Sequence, residues 1–168
     1  MTVSKICIEQ FNLRVYDEGV FRIQKVLQML SDDEVWYQPN PASNSVGTLI
    51  LHLCGNVTQW IGTGIGQRPD DRLRDIEFSG QVKYSKRELI DRLAKLRSIT
   101  DTAFHSIQND DDLLVKKTVQ GFDETNLSIL IHVIEHFSYH VGQIALIAKH
   151  LKDKDLGFYD GMDLNVIG

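Results

Sequence analysis

The sequence predicts an all-α fold, a four-helix bundle, and three observations carry that reading. Four stretches repeat apolar residues at alternating spacings of three and four. The connections between them are polar and hold all three prolines. No segment alternates with period two for long enough to make a strand. A chain of 168 residues suffices for one domain with a full core, residues 1–168, and is short for two.

Leu13, Tyr16, Val20, Ile23, Leu27 and Leu30 mark a first helix over about residues 6–30, with Gly19 tolerated inside it. Ser31 and Glu34 have the spacing of a capping box, and the turn they start is stopped by Pro39 and Pro41, which force extended backbone. Asn44 or Ser45 then caps a second helix whose stripe is Val46, Leu49, Ile50, Leu53, Val57, Trp60 and Ile61. Gly62, Gly64 and Gly66 are read as its end. They follow a helix and open none, so neither glycine-rich nucleotide-binding template fits. Residues 67–83 form a polar connection with Pro69, read as a short irregular segment.

Ser85 and Glu88 make a second capping box, opening a third helix with the stripe Leu89, Leu93, Leu96, Thr100, Ala103 and Ile107. Asn109–Asp112 lacks the glycine and closing glutamate of an EF-hand and reads as a solvated turn. Thr125 or Asn126 caps the last helix, where Leu127, Leu130, Ile134, Phe137, Val141, Ile144, Ala148 and Leu151 face inward. One core should hold Leu13, Ile23, Leu53, Leu93, Leu96, Ile134 and Val141.

Composition excludes several functions. A net charge of -5 with no basic cluster argues against a nucleic-acid partner, because phosphate binding needs a clustered positive surface. No apolar run reaches the ~18 to 20 residues that span a bilayer, and no N-terminal segment combines a positive start with a long apolar run, so no membrane is expected and the expected location is cytoplasmic. Cys7 and Cys54 form no CxxC and are expected to be free thiols.

The chemistry concentrates in the last helix, at His132, His136 and His140. Histidines at i and i+4 lie about 40° apart on one face, so their rings can converge on one metal ion. Residues 132 and 140 are separated by a rise of about 12 Å, whereas two ligands with bonds of about 2.1 Å stand only ~3 to 4 Å apart. The pair must therefore be chosen. His140 lies beside the apolar stripe and His136 at its edge, while His132 falls farther round with His150, Tyr139 and Glu135, on the face read as wet. The pair is His136 and His140. His105 points into solvent, which leaves His52 as the further ligand, on the flank of the second helix that also carries Asn56, Gln59 and Thr63.

Together these residues make a resemblance. The run NSVGTLILHLCGN from Asn44 to Asn56, followed about eighty residues later by HFSYHVGQI from His136, resembles the DinB/YfiT-like superfamily of bacterial metalloproteins over roughly residues 9–152. The resemblance implies an up-down-down-up bundle in which His52, His136 and His140 bind a divalent metal, and it implies a homodimer. Relatives include S-transferases that join a low-molecular-weight thiol, such as bacillithiol or mycothiol, to an electrophile, a thiol-dependent isomerase, and metal-dependent hydrolases.

Three imidazoles leave a coordination position open, the arrangement of a catalytic metal. Zinc or nickel suits an all-imidazole shell, and manganese or iron is compatible with it. Asn56, Gln143 and Tyr139 are the candidates for orienting a ligand or substrate. No carboxylate is placed for acid/base work on this reading, since Glu135 points away and Asp17 and Glu18 sit on the first helix. The expected function is a metal-dependent S-transferase or hydrolase acting on a small molecule. The alternative is a noncatalytic, stress-associated metal-binding bundle.

Overall fold

A computed structural model describes residues 1–167. The first helix, α1 (residues 3–29), is α-helical over Val3–Asn12 and Phe21–Met29 and π-helical over Leu13–Val20 between them. Thr2 caps it, and Asp110 reaches across the fold to accept a hydrogen bond from Ser4 N at 2.8 Å. The π turns correct one expectation. A π-helix bonds i to i+5, so each of its turns holds more residues than an α turn and the stripe shifts phase. Phe11 and Val15 are fully buried, and Leu13 is left 37% exposed, outside the core it was expected to join.

The capping box at Ser31 and Glu34 opens the short helix α2 (Asp32–Val35). Ser45, and not Asn44, caps α3 (residues 46–65), accepting from Thr48 N at 3.1 Å. This helix is α over Val46–Val57 and π over Thr58–Ile65, so it runs through Gly62 and Gly64 and stops only at Gly66. Two of these glycines serve contact. A Cβ on Gly62 would stand 2.9 Å from Ile99, and one on Gly66 would stand 2.8 Å from Ala103 Cβ. The connection that follows contains a further helix, α4 (Arg74–Phe78), which the sequence reading left irregular. The second capping box opens α5 (Lys86–Phe104).

After a 3-10 turn at Asp111–Leu114, strands β1 (Lys116–Val119) and β2 (Phe122–Thr125) pair antiparallel, with Lys116 opposite Thr125 and Val119 opposite Phe122. This small hairpin was not expected from the sequence. Both turn residues, Gln120 and Gly121, have positive φ, 52° and 82°, as a type I′ turn requires. Thr125 then caps α6 (Asn126–Lys152), accepting from Ser128 N at 3.1 Å.

Contacts set the helix directions. Gly19 meets Phe137 and Glu34 pairs with Lys152, so α1 and α6 run parallel. Gly62 meets Ile99 and Gly66 meets Ala103, so α3 and α5 also run parallel. His52 meets His136 and Gly64 meets Ile129, so α3 opposes α6. Phe11 stacks edge-on against Phe104, and the Tyr16 and Thr100 hydroxyls lie 2.7 Å apart, so α1 opposes α5. The result is an up-down-down-up four-helix bundle with its core between the four long helices. Because α3 and α5 are consecutive and parallel, the chain must climb back about 30 Å between them. That crossover, residues 66–85, passes over the middle of α3 beside His52. Among the described residues, no helix is long and apolar enough to cross a membrane.

Candidate metal centre

His52, His136 and His140 come together. His136 Nε2 lies 3.1 Å from His52 Nε2 and 3.2 Å from His140 Nε2, and one ligand atom from each ring falls within 4.8 Å of the others. Two bonds of about 2.1 Å to one ion separate their nitrogens by roughly 3.0 to 3.4 Å, which is the spacing seen. His52 and His140 are buried and His136 is half-buried.

Their second nitrogens fix the tautomers. His140 Nδ1 is 2.7 Å from Gln143 Oε1, an acceptor, so Nδ1–H donates and Nε2 is left a bare lone pair. His52 Nδ1 is 3.0 Å from Glu77 Oε2 and donates to that carboxylate, which leaves its Nε2 bare as well. Arg72 Nη2 stands 3.1 Å from the same Nδ1 but already donates to Glu77 Oε2 at 2.9 Å, so two donors share one oxygen. Two unprotonated nitrogens thus aim at His136 Nε2 in a buried place. This donor set suits a divalent ion.

The electrostatics agree. Burial first, and then the neighbouring His140 and His52 rings, press the His136 imidazole down to about 3, so it stays neutral and able to ligate. Burial also lowers the His140 pKa, against an upward pull from its bond to Gln143. The Glu77 side chain is largely buried, which by itself raises its pKa, but hydrogen bonds from Arg72 and His52 outweigh burial and hold it ionised below the usual carboxylate range.

Glu77 and Arg72 are the functional residues that sequence reasoning missed. Arg72 grips the carboxylate at both oxygens, with Nε 2.8 Å from Oε1 and Nη2 2.9 Å from Oε2, and its Nη1 donates to Gln59 Oε1 at 2.8 Å. Gln59 donates in turn to Asp70 at 2.8 Å. The available signal was Gly55. A glycine inside a helix costs about 1 kcal/mol relative to alanine, and here a Cβ would fall 2.0 Å from Glu77 Oε1.

The other expected residues take different places. Asn56 is buried one turn after His52, and its Oδ1 has no hydrogen-bond partner among the described residues, like His136 Nδ1. Tyr139 is 62% exposed, with its ring centre 5.0 Å from that of His140. His105 and His150 are exposed. His132 and Glu135 lie on the outer side of the cluster, where with His136 and Tyr139 they line a surface cavity of about 290 Å³. His132 also stacks on Trp60 at 3.8 Å and stands 5.5 Å from His136.

A family model described as "Protein of unknown function (DUF1572)" matches residues 9–159. The chain belongs to this family. Its fold is shared with DinB-like proteins. Among solved structures, a DinB-like protein from Bacillus cereus ATCC 10987 is 23% identical, covering 86% of this DUF1572 chain and 92% of its own, with a TM-score of 0.66. A conserved protein from Enterococcus faecalis is 19% identical, covering 92% of this chain and 99% of its own, with a TM-score of 0.69. Both show a shared fold. No curated protein matches.

Proposed function

We propose that this DUF1572 protein is a divalent-metal-dependent enzyme acting on a small molecule, with His52, His136 and His140 as the metal ligands. The observation that carries the reading is the convergence of three imidazole nitrogens, two of them left bare because Glu77 and Gln143 hold the ring proton on Nδ1. A divalent ion in such a shell supplies Lewis acidity and lowers the pKa of a thiol or water at its open position. Zinc or nickel suits the ligand type, with manganese or iron compatible.

Of the two reactions the family resemblance brings, S-transfer from a low-molecular-weight thiol to an electrophile is favoured by the state of Glu77. Its carboxylate is fully engaged by Arg72 and His52 and so is not free to take a proton from water. A thiol, far more acidic than water before it binds, depends less on a base to ionise at the open position. Hydrolysis has one observation of its own. Glu135 forms no ion pair among the described residues and lines the cavity that His136 opens onto, where a carboxylate could accept a proton. Tyr139 and His132 line the same cavity and would contact a substrate bound there.

Metal content by elemental analysis, after loading and dialysis, tests the centre. His52→Ala, His136→Ala and His140→Ala should each lose most bound metal, because two imidazoles hold a divalent ion poorly. His105→Ala, His132→Ala and His150→Ala should keep about one equivalent. Loss at His132→Ala with retention at His140→Ala would overturn the ligand set. The reaction is tested by consumption of cysteine thiol with 1-chloro-2,4-dinitrobenzene over metal-loaded protein. A loaded protein that accelerates neither this nor ester hydrolysis would leave metal binding as the function.

A further inference from the structure

The crossover between α3 and α5 exists for a topological reason, yet it delivers an arginine-carboxylate pair to the back of one histidine. The side chains of Arg72 and Glu77 retain only 6% and 11% of their exposure, a costly place for charges unless the geometry is fixed. It is fixed on every side. Arg72 holds both carboxylate oxygens, Gln59 holds Arg72, Phe78 packs its ring 4.9 Å from that of His52, and Gly55 leaves open the space that Glu77 Oε1 fills. The end of this assembly that faces the histidine is Oε2, 3.0 Å from His52 Nδ1.

We infer that Arg72 and Glu77 are positioning residues of the metal centre, a latch that holds His52 in the Nδ1–H tautomer so that Nε2 is free to ligate. This rests on the metal reading above. The latch also has an internal opposition. Arg72 Nη2 lies 3.1 Å from His52 Nδ1, and only the carboxylate between them makes that approach favourable. With Glu77 removed, Gln59 still accepts from Nη1, but the nearest acceptor left to Nη2 is the imidazole itself. Nδ1 then accepts from Arg72, the ring proton moves to Nε2, and the ligand is blocked. Arg72 thus supports the site when Glu77 is present and opposes it when Glu77 is absent.

The test uses full-length protein and two readouts. Zinc affinity is measured by competition with a chromogenic chelator, and the His52 tautomer is read from long-range ¹H–¹⁵N spectra of metal-free protein. Loss of such an orienting partner typically weakens metal binding by about 10- to 100-fold, so Glu77→Ala should raise the zinc dissociation constant in that range and switch His52 to Nε2–H. Adding Arg72→Ala to Glu77→Ala should recover part of the affinity, a reversal no general loss of structure would give. Gly55→Ala, whose methyl displaces Glu77 Oε1, should reproduce Glu77→Ala and add little to it. Affinities within twofold of wild type for Glu77→Ala and Gly55→Ala, or an unchanged tautomer, would overturn the latch. Wild-type protein that binds no zinc yet switches tautomer on Glu77→Ala would sink the metal reading while the positioning of His52 stands.

Discussion

His136 is the residue whose surroundings most alter its chemistry. In the unfolded chain its imidazole takes up a proton near the ordinary value of 6.5, whereas in the fold burial and the His140 and His52 rings hold it neutral down to about 3. The unfolded state therefore binds more protons throughout that window, and stability must fall as pH drops. His140 and His132, both lowered mainly by burial, act in the same direction. Glu77 adds its loss at lower pH, because a carboxylate held below its usual range stabilises only while ionised. Metal-free protein in the presence of chelator should accordingly melt at progressively lower temperature from pH 7 to pH 4.5, and His136→Ala should flatten the curve. A melting temperature constant over that range would contradict the buried, neutral cluster.

Between single residues and the bundle stand the glycines that let helices touch. A Cβ on Gly19 would stand 2.7 Å from the Phe137 ring and 3.1 Å from the Arg14 carbonyl, inside the contact between α1 and α6. Gly142 in the middle of α6 has nothing within 4 Å of the same position. Gly19→Ala should therefore destabilise by about 1–3 kcal/mol through overpacking, and Gly142→Ala should stabilise by up to about 1 kcal/mol through helix propensity. Urea unfolding of the two variants checks the opposite signs. At this scale the sequence was readable where a local code exists. The capping boxes at Ser31 and Ser85 place helix starts, and the stripe on α6 separates His136 and His140 from the rest. Leu13 was misplaced because nothing in the local pattern marks a π turn. The hairpin was missed because only Val119 among its strand residues is buried, so no alternating apolar face advertises it, and Gln120-Gly121 is a weak turn signal.

For the whole molecule, direction matters more than helix count. An up-down-down-up order makes α3 and α5 parallel neighbours, and the long return between them places Arg72 and Glu77, which are far from His52 in sequence pattern, against its Nδ1. No motif encodes that meeting, since it depends on how the crossover lies on Gly55. His136 and His140 were legible against the stripe of their own helix, and His52 as the remaining histidine not assigned to solvent. Their partner was not, because it declares itself only once the chain has turned back. The homodimer that the family resemblance implies is also a property of this scale, and sedimentation at micromolar concentration should give twice the mass of one chain. A single-chain mass would remove it. One more consequence follows from the stack of Trp60 on His132, 3.8 Å apart and 5.5 Å short of His136. The chain has two tryptophans, and Trp60 is the one placed against the cluster, its indole N–H held by Gln120 at 3.1 Å. Its emission is therefore an optical witness built into the protein, one that an open-shell ion such as cobalt or nickel should darken and zinc should leave bright, without any label being attached.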